Sequence, residues 1–210
     1  MSHGRGTVLP PPAIIDFDQA AGTDGRRPYR VVFVCSGNIC RSPMAEVITR
    51  ELANGAALGD GSSPHGATRG ADSPGGGGTL GDHIDVRSAG TGPWHEGEDM
   101  HPLATSALLR AGYPGNRHVA RQFRSADIGR VDLMVALDRR HQQTLRGLGA
   151  EPGRIALLRS FDPRSGAAAD VPDPYYGDDA VFDECRDMIA AACQGLVASL
   201  AEHWEGLWAP

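Results

Sequence analysis

The stretch Val31-Val32-Phe33-Val34-Cys35-Ser36-Gly37-Asn38-Ile39-Cys40-Arg41-Ser42-Pro43 constrains this chain more than any other. Its first four residues form an apolar run with the composition of a strand buried on both faces. Its end, Ser42-Pro43, offers a helix cap and a first-turn proline, and Met44-Ala45-Glu46-Val47-Ile48 continues as helix over about 43–54. A short loop must therefore join a strand end to a helix start. Free backbone N–H groups and the helix dipole make such a junction a site for anions. Cys35 opens the loop and Arg41 closes it. Surroundings of this kind favour a thiolate, and an arginine grips two oxygens of a phosphate at once. Sulfur beside bound phosphate points to covalent phosphoryl transfer through a cysteine.

Composition limits what surrounds that loop. A length of 210 residues fits one domain, and a formal charge of −6 argues against a nucleic-acid surface. All 20 basic residues are Arg. Four cysteines without a secretory start fit a reducing cytosol better than a disulfide framework. No apolar run is long enough to span a bilayer. The chain reads as a soluble, cytoplasmic monomer without a membrane partner, although export by an unconventional route would leave no mark here.

Along the chain, residues 1–28 are rich in Gly, Pro, Asp and Arg and read as a disordered extension, with Ala13-Ile14-Ile15 its one apolar run. The domain occupies 29–205, interrupted by a Gly/Ser/Pro-rich insertion at 55–83 without core-forming content; 206–210 is a tail. Strands are expected near 30–35, 84–88, 131–137 and 154–158, and helices near 43–54, 102–112, 125–129, 139–148 and 178–204. The last helix carries the stripe Phe182, Cys185, Ile189, Ala192, Leu196, Leu200, which should face a sheet. This alternation predicts an α/β fold, a three-layer α/β/α sandwich around a central four-stranded parallel sheet. Ligands of such sheets bind outside the carboxyl ends of the strands. Cys35, Trp94, Asp138 and the Asp173-Pro174-Tyr175-Tyr176 loop follow the four strands in turn, so all should meet at one edge. The extension and the insertion enter from the opposite edge.

The residues Val34 to Glu46 resemble the phosphate loop of the low-molecular-weight protein tyrosine phosphatases, and of their actinobacterial members in particular. Ser88-Ala89-Gly90-Thr91, Trp94, Ala120-Arg121-Gln122, Ala136-Leu137-Asp138 and Asp173-Pro174-Tyr175-Tyr176-Gly177 resemble that family in the same order. The likeness covers about 29–53 and 84–204. It implies hydrolysis of phosphotyrosine in a protein substrate, with Cys35 as nucleophile and no metal or cofactor. Ser36, Gly37, Asn38, Ile39, Cys40, Arg41 and Ser42 would hold the phosphate. A single carboxyl can protonate the leaving phenolate and then activate water; the resemblance assigns both steps to Asp173, which Pro172 and Pro174 stiffen. Trp94, Tyr175 and Tyr176 would wall an aromatic cleft, deep enough to prefer phosphotyrosine over phosphoserine. Asn38, Ser42, Ser88 and His118 would brace the loop, Ser42 offering its hydroxyl to the thiolate, and Asp138 would orient Arg41. Cys40 would trap an oxidised Cys35 as a disulfide, and Tyr175 or Tyr176 would be open to a tyrosine kinase. One departure stands out: His101-Pro102-Leu103-Ala104 replaces the family's Asp-Pro-Arg-Ala type segment, at the rim near Trp94.

Three other functions share parts of this pattern. A thioredoxin-coupled arsenate reductase of the same fold needs relay cysteines near the loop. Cys185 and Cys193 are expected on the core side of the last helix, roughly 12 Å apart and too far to bond. Arginine phosphatases of this fold carry Thr where this chain has Ile39, and lack the tyrosine pair. A catalytically dead phosphotyrosine-binding module would not need every proposed catalytic residue. His95, His101 and His141 show no metal-ligand spacing and read as solvated.

Overall fold

Strand β1, Tyr29–Cys35, is central because both of its faces are covered. Val31 and Phe33 point into one hydrophobic cluster, Val32 and Val34 into another. In the computed structural model, which describes residues 28–58, 79–115, 117–166 and 170–207, the other strands are β2 (Ile84–Gly90), β3 (Leu133–Ala136) and β4 (Ile155–Leu157). They form one parallel sheet in the order β2-β1-β3-β4. The register aligns Cys35 with Gly90 and Val34 with Ala136, so the carboxyl ends of three strands finish level.

Helices α1 (Arg41–Gly55), α2 (Pro102–Arg110) and α4 (Asp179–Leu207) cover one face; α3 (Arg139–Gly147) covers the other with Phe123. Every residue of the predicted stripe on α4 is buried, with Ile189, Ala192, Leu196 and Leu200 at 0 % exposure. Gly195 lets α4 press on the short turn Leu158–Phe161, where any Cβ would collide with the Phe161 carbonyl oxygen. Among the described residues no helix is long and apolar enough to cross a membrane.

The structure moves several boundaries. Helix α1 starts at Arg41, two residues before the expected Pro43. Strand β3 starts at Leu133 rather than 131, because a two-turn 3-10 helix over Ser125–Arg130 holds Val131 N to Ile128 O. The larger correction concerns 55–83. Residues 1–27 and 59–78 lie outside the described part, so the extension and the middle of the insertion have no structural account. The insertion's ends belong to the fold. Ala57 bridges Thr79, Leu80 N donates to Ala56 O at 2.9 Å, and Tyr29 N donates to His83 O at 2.9 Å. Leu80 is fully buried in the core under α1. An isolated leucine between Thr and Gly has no periodicity to betray it.

Leu80→Ala is expected to cost about 2–5 kcal/mol, the range for a buried leucine truncation. Urea denaturation checks this; an unchanged midpoint would return Leu80 to the insertion.

Candidate active site

Cys35 ends β1, and the loop 36–40 leads straight into the N-terminus of α1. The Cys35 sulfur lies 3.0 Å from Ser42 Oγ and accepts from Asn38 N at 3.3 Å. Ser42 was expected to cap α1 but does not; residue Cys40 precedes the helix without a side-chain cap, and the Ser42 hydroxyl turns into the loop. The loop is held by Asn38, whose φ of 60° is the left-handed conformation that Asn tolerates better than most residues. Its Nδ2 donates to Ser42 Oγ and Ser88 Oγ, each at 2.9 Å, and its Oδ1 accepts from Arg121 N at 3.0 Å. His118 Nε2 lies 2.6 Å from the Asn38 carbonyl. Ser88 in turn donates to Glu46 on α1, a partner not foreseen, though Glu46 stands one turn after Ser42. At Gly90 a Cβ would lie 2.7 Å from Ser36 O, so only glycine lets β2 come this close to the loop.

Arg41 is the buried cation of the site, 3 % exposed. Its Nη1 donates to Asp138 Oδ2 at 3.0 Å and to Val171 O at 3.1 Å. Its Nη2 donates to Ser36 Oγ at 3.3 Å and to Asp173 Oδ2 at 2.7 Å. Asp138 caps α3, with Oδ1 accepting from His141 N at 2.9 Å. Burial alone would push the Asp138 carboxyl up. The adjoining His141 ring, the His141 backbone N–H and the Arg41 charge outweigh it and hold the group well below the ordinary carboxylate range.

His141 corrects the expectation of a solvated residue. It is 3 % exposed, with Nε2 2.9 Å from Ser36 Oγ and Nδ1 3.0 Å from Asp138 Oδ1. The spacing Asp-x-x-His at a helix start was the available signal, because it puts both side chains on one side of the first turn.

The cleft above the loop has a volume of about 140 Å³ and is lined by Cys35, Arg41, Asp173, Trp94, Tyr175 and His95, with the loop residues Ser36, Gly37, Ile39 and Cys40. His95 and His101 are also not simply solvated. His95 closes on Gly37, where a Cβ would lie 2.6 Å from its Cδ2, and its Nδ1 lies 2.8 Å from Glu98 Oε2. His101 accepts from Leu103 N at 3.2 Å to cap α2, and stacks on Phe182 with ring centroids 5.0 Å apart. Burial, then the neighbouring His95, lowers its pKa. Tyr175 meets the His101 ring edge-on, so the departing His101-Pro102-Leu103 segment supports the cleft wall. Tyr176, expected as a wall, is 96 % exposed and stands outside the cleft, touching only the edge of Tyr175 among the described rings.

All four cysteines are free and buried. Burial first, then Cys35 and Asp173, pushes the Cys40 thiol far up. Burial pushes Cys185 and Cys193 up to about 12. Cys185 Sγ lies 3.8 Å from Pro172 O, behind the loop that carries Asp173.

A cysteine and an arginine bracketing an anion loop, at the carboxyl edge of a parallel sheet, define a cysteine-based phosphatase. The chain belongs to the low molecular weight phosphotyrosine protein phosphatase family, whose model matches residues 30–77 and 71–205. It is 43 % identical over 182 residues to the low molecular weight protein-tyrosine-phosphatase of Streptomyces coelicolor, covering 85 % of this chain and 97 % of that one. It is 44 % identical to low molecular weight protein-tyrosine phosphatase A of Mycobacterium tuberculosis over 171 residues, 80 % of this chain and 90 % of the relative. The crystal structure of YfkJ from Bacillus subtilis superposes with a TM-score of 0.67 at 32 % identity, covering 84 % of this chain and 96 % of that one.

Because the Asp138 pKa is lower in the folded chain than in the unfolded one, its contribution to stability is complete well above 3.8 and fades as pH falls below it. Asp138→Asn should therefore destabilise by about 1–3 kcal/mol at neutral pH, with the gap to wild type narrowing in acid. Denaturation at pH 7 and pH 3 measures this; a gap of equal size at both would mean that its charge is not the source.

Proposed function

We propose that this chain hydrolyses phosphotyrosine in proteins through a phosphocysteine intermediate. The observation that carries the reading is the 2.7 Å contact between Asp173 and Arg41, groups 132 residues apart in sequence, directly above Cys35. It puts a carboxyl, a phosphate-gripping cation and a sulfur nucleophile in one small cleft.

Arrival of a phosphate dianion competes with Asp173 for the guanidinium, freeing the carboxyl to face the leaving group. Released from the guanidinium, the solvent-facing Asp173 carboxylate takes up a proton from water. The Cys35 thiolate attacks phosphorus and the P–O bond to the aryl group breaks, while Asp173 gives that proton to the leaving phenolate. Water then attacks the phosphocysteine, passing a proton to Asp173, and sulfur leaves with the electron pair of the S–P bond. Asn38 N and Ser42 Oγ, already at 3.3 and 3.0 Å from the sulfur, stabilise it as it departs. Trp94, Tyr175 and His95 form the walls, which suit an aromatic phosphate of tyrosine length.

The catalytic unit in this reading is residues 29–205, acting as a monomer in the cytoplasm. Cys40 is the partner for an oxidised Cys35, the sulfenic acid and thiol condensing to a disulfide and water. Of the two tyrosines, the exposed Tyr176 is the more accessible to a kinase. Arsenate reduction is disfavoured because Cys185 and Cys193 are buried thiols held up to about 12, poor attackers in a disulfide relay.

Cys35→Ser is expected to abolish turnover of aryl phosphates while still binding phosphate, and full activity in that variant would sink the assignment. Asp173→Asn should slow hydrolysis by roughly 10²–10⁴, most for poor leaving groups; an unchanged rate would mean that another group supplies the proton. Phosphotyrosine peptide, phosphoarginine, and arsenate with thioredoxin, assayed side by side, decide among the alternatives.

A further inference from the structure

The N–H groups of Arg41 that do not face substrate determine how the arginine is held. Nη1 is committed to Asp138 Oδ2 and Val171 O. Nη2 is shared between Asp173 Oδ2 and Ser36 Oγ. A phosphate that displaces Asp173 takes Nε–H and one Nη2 hydrogen, which leaves the other on Ser36. Ser36 Oγ therefore accepts from Arg41, and its own hydrogen points to His141 Nε2 at 2.9 Å. A ring nitrogen that accepts leaves the imidazole hydrogen on Nδ1, beside Asp138 Oδ1 at 3.0 Å. That last contact is too poorly aligned for a hydrogen bond and sets the Nδ1–H dipole beside the carboxylate. The well-formed link between the two residues is His141 N to Asp138 Oδ1 at 2.9 Å.

We propose that His141 is a positioning residue of the phosphate site: Arg41, Ser36, His141 and Asp138 form a closed ring that fixes the guanidinium before phosphate arrives, His141 carrying its hydrogen on Nδ1 and accepting from Ser36. The proposal rests on the reading of Arg41 as the phosphate clamp. Its physical basis is preorganisation. A free arginine side chain loses much rotamer freedom on binding, whereas one already braced loses little. The imidazole suits the task because it is buried, short and rigid, and α3 carries it from the sheet face opposite α1. The ring thus ties the loop before α1 to the junction of β3 and α3.

The test is calorimetric titration of inorganic phosphate into wild type, His141→Phe, Ser36→Ala and the double variant, with ¹⁵N NMR of the imidazole. Each single change is expected to weaken phosphate about tenfold, the factor for one hydrogen bond to a charged group. The double variant should be no weaker than the worse single one, since both break the same ring. Wild-type spectra should show a protonated Nδ1 and a bare, accepting Nε2 whose shift moves in Ser36→Ala. Losses that multiply to about a hundredfold in the double variant, unchanged affinity in either single one, or a protonated Nε2 would each overturn the proposal. Should His141→Phe fail to fold, Ser36→Ala and the ring spectra decide alone. Wild type that binds phosphate yet hydrolyses no aryl phosphate would sink the proposed function and leave this inference standing.

Discussion

The site depends on keeping one guanidinium charged and nearly dry. Taking a cation out of water costs several kcal/mol unless other groups replace its hydration. Arg41 finds four replacements: the Asp138 carboxylate, the Val171 carbonyl, the Ser36 hydroxyl and the Asp173 carboxylate. They come from three loops at the same sheet edge, Val171 and Asp173 sharing one. Asp138, Val171 and Ser36 are buried or partly buried. The fourth partner, Asp173, has an exposed side chain, which in the proposed reaction makes it the one that phosphate replaces. The arginine therefore ties three loops together at this edge, and in the proposed reaction it is where substrate would enter that network.

That arrangement is possible because the sheet delivers its loops level with one another. The pairing of Cys35 with Gly90 brings the end of β2 against the loop, where Thr91 N and Gly92 N donate to the carbonyls of Cys35 and Ser36 at 2.8 and 3.0 Å. Carbonyls turned outward in this way leave other loop N–H groups free to face an anion. A shift of one residue in that register would exchange the faces of β2 and withdraw Ser88 from Asn38.

Much of this was legible in the residues themselves. The apolar run before Cys35, the stripe on α4 and the order of strands and helices each have a period or composition that buried structure imposes. The meeting of Cys35, Trp94 and Asp173 followed from strand polarity. Other features carry no such signature. Leu80 is a single apolar residue in a polar tract, and although His95 and His141 each have an acidic partner three residues away, their contacts with the phosphate loop at Gly37 and Ser36 are distant in sequence. Ser42 looked like a cap because local sequence cannot show that a sulfur seven residues earlier competes for its hydroxyl. Tyr176 shared its neighbour's chemistry, but adjacent residues in a loop need not face the same way.

The bridge between Ala57 and Thr79 has a consequence for how the chain tolerates change. It brings the two ends of the intervening segment together at the rim opposite Cys35 and ties them to the core through Leu80. With the ends fixed by the fold, the entropy of closing that loop grows only with the logarithm of its length. Chain can therefore be gained, lost or exchanged between those two anchors at little thermodynamic cost, and at the far end of the sheet from the chemistry. In this chain the two anchors thus set apart a place where length can vary while the phosphate loop stays as it is.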